Sequence, residues 1–406
     1  MMNTPDHIPP HVPRHLVFEF DIYADPRIDC AVQDSYAAAI ETAPDIFWTP
    51  ANGGHWMVRR MDAIAAIATD PEHFSVREMQ IPRVPNPPFF IPLSLDPPHN
   101  LPYRRAMAPM FGPVAIKAIE PRLRYWAESI VAGVADKGAC DFMADVAKVY
   151  PVTVFMELMG MDLSRLHEFR HLAERFFEVQ NDAEELGQLS ATILGLLKGL
   201  IDEKRTSPDD KLMSHFIQAD VGEGTPRTMS DDEILAMSFV LFLGGMDTVT
   251  NVTGFAYQQL AQMPELQARL AADPSLSGAF ADEAVRAFGV VNAPRLVVKD
   301  KDLLGVPFRA GDMVLNLLPM GSRDDRKFTL PGLVDIDRKR AAHITFSTGP
   351  HLCIGHVPGR AEIRILIETW VRHIPAFRIV PGAVRPFRTG TVMALEALPL
   401  AWGTAK

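Results

Sequence analysis

The sequence predicts a mainly α-helical protein of the α+β class, on three observations. Between residues 99 and 290, apolar residues recur mostly at three- and four-residue spacing, which is typical of helices with one buried face. After residue 290, short apolar runs alternate with Gly and Pro turns, which favours short strands. A last helical pattern covers residues 355–373. We therefore expect a helical part and a small β-rich part.

The helices follow from periodicity and from end signals. The clearest start is Ser230-Asp231-Asp232-Glu233, a capping box with acidic residues in the first turn. This helix is expected to reach about residue 262, because Pro264 follows, and to measure roughly 45–50 Å. The other helical segments are 115–135, 142–160, 163–178, 185–203 and 276–288.

Strands and loops complete the pattern. The proline-rich stretch 81–98 cannot be helical throughout, so it is predicted to be a long ordered loop that covers an apolar feature. The predicted strand segments are 295–298, 313–318, 376–380 and 395–402.

Composition excludes several classes of protein. The 406 residues are 48% hydrophobic and 22% charged, so a sizeable core is possible. Lys plus Arg is 40 and Asp plus Glu is 50, a net charge of −10, which disfavours general nucleic-acid binding. Three cysteines are too few for a disulfide framework and suit a reducing compartment. We find no signal-peptide pattern, and the most apolar run, 235–246, is too short to cross a bilayer, so we expect a soluble cytoplasmic protein.

Cys353 lies in a distinctive segment, Phe346-Ser-Thr-Gly-Pro-His-Leu-Cys353-Ile-Gly355. An ordinary buried cysteine in a Gly-rich turn is the simplest interpretation. Flanking glycines, however, let the backbone approach a flat ligand, and a helix starting after Cys353 would lower the pKa of its thiol. Such a thiolate suits the axial position of a haem iron.

The segment resembles the haem-binding signature of the cytochrome P-450 monooxygenases. All five fixed positions are met, by Phe346, Gly349, His351, Cys353 and Gly355. The family usually has Leu and Ala at the fifth and sixth positions after the cysteine, where this chain has Pro358 and Gly359. The resemblance implies haem b ligated through Cys353, O2 as co-substrate, and a single catalytic domain over 1–406 with the haem between the long helix and the Cys loop. Its β-rich parts are expected at about 45–60, 290–320 and 376–402, and its helical parts at about 99–290 and 355–373.

Within the long helix, Gly244-Gly245-Met246-Asp247-Thr248 resembles the family's oxygen-binding motif. Two adjacent glycines cost about 1 kcal/mol each relative to Ala in a helix interior, so the sequence tolerates local destabilisation here. The resemblance implies that Thr248 is the hydrogen-bonding alcohol and that Asp247 relays protons from solvent.

Further residues match family positions. The resemblance assigns Glu283, Arg286 and Arg338 to a buried structural network, although Glu283 and Arg286 alone would indicate a surface ion pair. It assigns the haem propionates to Arg104, Arg295 and His351, with Asn100 as a weaker donor in the place of the family His or Gln.

Overall similarity is greatest to the bacterial camphor 5-hydroxylase family, and this implies a three-component class I system. A 2Fe–2S ferredoxin, itself reduced by an NADH-dependent flavin reductase, is expected to dock on a basic patch near the Cys side. That patch would comprise Arg104, Arg105, Arg338, Lys339, Arg340, Arg360 and Arg364. A monomer is expected.

The substrate does not carry over from camphor. The position of the camphor-binding Tyr is Pro88, which has no donor, and a potassium site near it is doubtful. The pocket positions that match the family are almost wholly apolar, and these are Met79, Pro88, Phe90, Leu93, Val240, Leu243, Gly244, Val291, Thr391 and Val392. We expect a small hydrophobic terpenoid or an ionone-like norisoprenoid. Alternatives are a camphor or other monoterpene hydroxylase, a non-catalytic haem-thiolate sensor, and a helical protein without cofactor.

Overall fold

A computed structural model describes residues 8–84, 89–178, 183–339 and 342–403. Two of the predicted functional residues, Pro88 and Arg340, lie outside the described residues.

Helices form most of the described chain, as predicted, and about 51% of it is helical. They are α1 (Val32–Ala39), α2 (Met61–Ala68), α3 (Leu101–Phe111), α4 (Pro113–Ala135), α5 (Val149–Met159), α6 (Leu166–Glu178), α7 (Ala183–Thr206), α8 (Leu212–Gln218), α9 (Asp231–Leu260), α10 (Pro264–Ala272), α11 (Ser277–Ala287), α12 (Leu318–Gly321) and α13 (His356–His373).

The strands are short. They are β1 (Ile46–Thr49), β2 (His55–Val58), β3 (Phe74–Ser75), β4 (Ala139–Asp141), β5 (Asn292–Val297), β6 (Lys301–Leu303), β7 (Val306–Phe308), β8 (Met313–Leu317), β9 (Phe377–Ile379), β10 (Phe387–Arg388), β11 (Ala394–Leu395) and β12 (Pro399–Trp402).

The largest sheet joins two β-rich parts that the sequence kept separate. Its strand order is β1-β2-β8-β5-β3, with β2 and β8 parallel and the other pairs antiparallel. A second sheet, β4-β12-β9, ties the middle of the chain to its C-terminal part, and β10 pairs with β11 as a separate hairpin.

The long helix α9 begins as the capping box predicts. The Ser230 hydroxyl accepts from the Glu233 N–H at 3.2 Å, and the Glu233 carboxylate accepts from the Ser230 N–H at 2.7 Å. With a mean hydropathy of 1.4 over its most apolar 18 residues, α9 is long and apolar enough to cross a membrane, contrary to the estimate from residues 235–246. Core helices of soluble proteins pass the same test.

Helix α9 also connects two apolar cores. Its first half, around Phe242, shares one core with α5, α6, α7 and α8, whereas its second half, around Phe255, shares the other with α4, α11 and α13. Residues 247–251 lie where the two cores meet.

Sequence and structure differ in places. Predicted segment 142–160 is a π-helical turn, Met143–Ala147, followed by α5, and α1 and α2 lie in a region where no helix was expected. The loop at 81–98 is non-helical as predicted in its described parts, and Ile81 is buried in the core, but Phe89 is 58% exposed.

Candidate active site

The Cys loop leads into α13, which packs against the middle of α9. Phe346 accepts a hydrogen bond at its carbonyl from the Cys353 N–H at 2.9 Å, and Gly349 adopts a left-handed backbone with φ +69°. Helix α13 then starts at His356, and a Cβ on Gly359 would lie 3.7 Å from Val249 on α9. The predicted oxygen-binding motif and the predicted iron ligand are thus on neighbouring elements.

Open space adjoins both elements. Gly244 and Gly245 are exposed in the middle of α9, and a Cβ built on either glycine would meet no atom within 4 Å. Cys353 also has exposed surface, although protein atoms surround it closely enough for burial to raise the pKa of its thiol. Exposed surface on residues deep in the fold is what an internal cavity produces.

The pKa of Cys353 corrects one expectation. The Gly355 N–H and the charges of Arg104 and Arg360 lower this pKa, as the sequence argument required, but burial outweighs them and the pKa lies above its ordinary value. Amides and the helix terminus alone therefore do not produce a thiolate. Coordination to a metal would, because a coordinating thiol is deprotonated outright.

A cationic group lies beside the Cys loop. Burial, followed by the charges of Arg295 and Arg104, lowers the pKa of His351 to about 3. Burial also lowers the pKa of Arg295 to about 10. Within the described ranges, neither arginine forms an ion pair: Arg104 donates to the Leu352 carbonyl at 2.5 Å and Arg295 donates to the Pro294 carbonyl at 2.7 Å.

This group fits the propionates of haem. Buried positive charge is unfavourable without an anion, and two guanidinium groups match two carboxylates. Asn100 is fully buried with its Oδ1 unpartnered, and its Nδ2 lies 3.4 Å from Nε2 of His351. The residues present thus fit haem at both ends, with the thiol for the metal and the cations for the carboxylates.

The side chains of Asp247 and Thr248 on α9 have different hydrogen-bond partners. The Thr248 hydroxyl donates to the Gly244 carbonyl at 2.6 Å, whereas Asp247 accepts from Arg388 at 2.9 and 3.1 Å and from Asn251 at 2.8 Å. Burial raises the pKa of Asp247 above its ordinary value, although Arg388 and Asn251 act against that rise. Sequence reasoning missed Arg388, which is 141 positions away, but Asn251 could have been found at the i+4 position.

The predicted triad forms one buried network. Arg286 donates to both carboxylate oxygens of Glu283, at 2.7 and 2.9 Å, and Arg338 donates to Glu283 at 3.1 Å. Burial would raise the pKa of Glu283, but bonds from Arg286, the Asp335 N–H and Arg338 outweigh it, so the pKa lies below its ordinary value.

Part of the predicted pocket is brought together. Val291 and Val392 form an isolated antiparallel bridge, and the Asn292 N–H donates to the Thr391 carbonyl at 2.8 Å. The remaining described pocket residues have exposed or partly exposed surface, and these are Met79, Phe90, Leu93, Val240, Leu243 and Gly244.

Tyr23, which the sequence did not single out, links two walls of that region. Its hydroxyl donates to the Ile81 carbonyl at 2.5 Å, at the start of the proline-rich loop. Burial raises the pKa of Tyr23, and the nearby Thr391 side chain opposes that rise. Thr391, which carries the one hydroxyl among the predicted pocket residues, therefore lies near Tyr23.

Several cations of the predicted basic patch already pair with acidic side chains. Arg360 pairs with Asp282 at 3.1 Å, Arg364 pairs with Glu120 at 2.9 Å, and Arg338 belongs to the Glu283 network. Among the described members of the patch, Arg105 and Lys339 are exposed.

Comparison with known proteins agrees with this geometry. Residues 151–273 match the family model for cytochrome P-450. The solved structure of CYP101J2 is 32% identical to this chain, and the match covers 98% of this chain and 99% of that one, with a TM-score of 0.88. The solved structure of CYP101C1 is 30% identical, and the match covers 98% of this chain and 100% of that one, also with a TM-score of 0.88. A probable cytochrome P-450 127A1 from Sinorhizobium fredii is 29% identical, covering 98% of this chain and 96% of that protein. The chain therefore belongs to the cytochrome P-450 family, as a bacterial O2-dependent monooxygenase close to the CYP101 proteins, with haem b as its cofactor.

Proposed function

We propose that this protein hydroxylates a small hydrophobic terpenoid or an ionone-like norisoprenoid. The observation that carries the proposal is the apolar wall formed where Val291 pairs with Val392. A pocket lined almost wholly by apolar side chains holds its ligand by shape and apolar contact. Ala293, at the position of a family Asp, offers no polar group either.

Different residues of the chain are proposed to hold the iron and the propionates of haem. Cys353 would hold the iron, and Arg104, Arg295, His351 and Asn100 would hold the propionates. When bound, haem with a thiolate ligand supplies the oxygen-activating chemistry. Phe346, Gly349 and Gly355 would shape the loop that presents Cys353.

Two residues of α9 are proposed to deliver protons. Thr248 would orient the final proton donor toward the oxygen side, and Asp247 would pass protons from solvent. A Thr248→Ala variant should still oxidise NADH but should release peroxide in place of part of the product. Unchanged product per NADH would contradict this role.

Electrons are proposed to come from a 2Fe–2S ferredoxin that is reduced by an NADH-dependent flavin reductase, in the cytoplasm. Arg105 and Lys339 are the exposed cations on which docking would depend, because Arg360 and Arg364 already pair with acids. We further propose that residues 1–406 work as one monomeric catalytic domain.

The substrate proposal is tested by titrating the ferric protein with β-ionone and with camphor in parallel. A low- to high-spin change in the haem absorbance with β-ionone, and little change with camphor, is the expected result. Tight camphor binding with strong camphor turnover would refute the proposal and favour the monoterpene alternative. Absence of NADH consumption with any ferredoxin would favour a haem-thiolate sensor.

A further inference from the structure

The carboxylate of Asp247 is held by an arginine from a distant part of the chain. Nη2 of Arg388, on β10, donates to Oδ1 and Oδ2 of Asp247 at 2.9 and 3.1 Å. Nε of the same guanidinium donates to Glu396 at 2.9 Å, and Lys148 lies 3.6 Å from Glu396. Arg388 thus joins a buried acid of α9 to a charged pair nearer the surface.

The backbone under Arg388 is fixed. Arg388 pairs with Ala394 across the β10–β11 hairpin, and Leu395 donates its N–H to Asn251 at 3.2 Å, which in turn donates to Asp247. A Cβ on Gly390 would lie 2.6 Å from the Tyr23 ring, so the hairpin turn packs closely against that ring. Such support holds a side chain in one orientation.

A small cavity opens beside this contact. Its volume is about 40 Å³, and its polar lining includes Lys148, Glu174, Asp247, Arg388 and Glu396. A cavity needs roughly 10–15 Å³ of such volume and two to four polar partners to hold a water, so this one has room for more than one. The cavity faces Asp247 on the side of α5, α6 and the hairpin, whereas the hydroxyl of Thr248 lies one helical position away, about 100° around α9.

We propose that Arg388 is the positioning residue for Asp247, and that the 40 Å³ cavity is where protons enter the relay. This inference rests on the relay role proposed above for Asp247. A cavity water passes a proton to the carboxylate and takes up another from bulk solvent. Asp247 then gives its proton up toward Thr248 and is ionised again. Arg388 stays cationic throughout, so the network ends with the charge it had at the start.

The test compares Arg388→Gln, Arg388→Lys and the wild type, with Arg269→Gln as the matched control. Arg269 also pairs with a carboxylate, at 2.8 Å from Asp337, but on the exposed surface of α10. Each variant is first checked for haem content and substrate-induced spin change, which should match the wild type, and is assayed well below its own thermal midpoint.

Arg388→Gln should lower product per NADH by about tenfold, raise peroxide release, and increase the solvent deuterium isotope effect on kcat. Arg388→Lys should recover most of the loss, because it restores the charge. If Arg388→Gln has the same product per NADH and the same solvent isotope effect as the wild type, the inference is overturned.

A second readout does not use turnover. In a crystal structure of Arg388→Gln, the Asp247 carboxylate should have left its position at the cavity; an unmoved carboxylate would overturn the positioning role. Asp247→Asn separates the two claims. If Asp247→Asn turns over at the wild-type rate, the relay role of Asp247 is refuted. If Asp247→Asn turns over slowly but Arg388→Gln turns over normally, only the positioning role of Arg388 is refuted.

Discussion

Replacing Arg286 with Met should destabilise the fold strongly. The side chain of Arg286 is 2% exposed, and besides its two bonds to Glu283 it donates to the carbonyls of Pro331 and Leu333 at 2.8 and 2.9 Å. Methionine fills a similar volume but donates nothing. The variant therefore leaves a buried carboxylate short of its partner.

The magnitude follows from what remains bonded. Removing one partner of a buried ion pair costs about 3–5 kcal/mol. Glu283 keeps the Asp335 N–H at 3.0 Å and Arg338 at 3.1 Å, whereas the Pro331 carbonyl loses its bond, so we expect about 3–4 kcal/mol. At this chain length, that corresponds to a fall in Tm of about 4 °C.

The assay is thermal unfolding of the haem-loaded protein, followed by circular dichroism and by haem absorbance. Arg269→Met is the control, because Arg269 makes its ion pair on the exposed surface, and it should unfold like the wild type.

Glu283→Gln should be less stable than the wild type near neutral pH. Since the pKa of Glu283 is lowered in the fold, its contribution is present above its unfolded pKa and is lost as the pH falls through the folded pKa. Equal midpoints for Arg286→Met and Arg269→Met would refute the reasoning.

Three other predictions concern single side chains. Burial raises the pKa of Glu362 to about 8, so wild-type stability relative to Glu362→Gln should fall by about 3–5 kcal/mol between pH 5 and 8; denaturant titrations at several pH values would measure it, and parallel curves would contradict it. Arg295→Leu should lose haem about tenfold faster to apomyoglobin, since one propionate loses its cation, and an unchanged transfer rate would count against that contact. Gly349→Ala should lower the free energy of unfolding by about 1–3 kcal/mol, because its φ is +69° and the new Cβ would lie 3.0 Å from Thr69, and calorimetry without such a loss would disprove the strain.

Local signals predicted the helical part well. The capping box at Ser230 and Glu233 depends on four consecutive residues, so the sequence alone gives the start of α9. The eight-residue helices α1 and α2 were missed, and segment 142–160 is interrupted by a π-helical turn. In short elements such as these, packing rather than periodicity decides the conformation.

The candidate site was predictable where it depends on a contiguous motif and unpredictable where it depends on tertiary contacts. The segment around Cys353 can be recognised residue by residue, but the direction of the thiol pKa shift was wrong, because burial depends on elements far along the chain. Arg388 lies on a two-residue strand with no periodic signal, and only the fold brings it to Asp247.

The central claim is that Cys353 provides the thiolate ligand of a functional haem. Its most direct measurement is the absorbance of the ferrous carbonyl adduct of the wild type and of Cys353→His, Cys140→Ser and Cys30→Ser variants. A thiolate donates electron density to the iron, so we predict a red-shifted Soret band in the wild type and in both serine variants, and its loss in Cys353→His. The same band in Cys353→His, or no haem band in the wild type, would contradict the account.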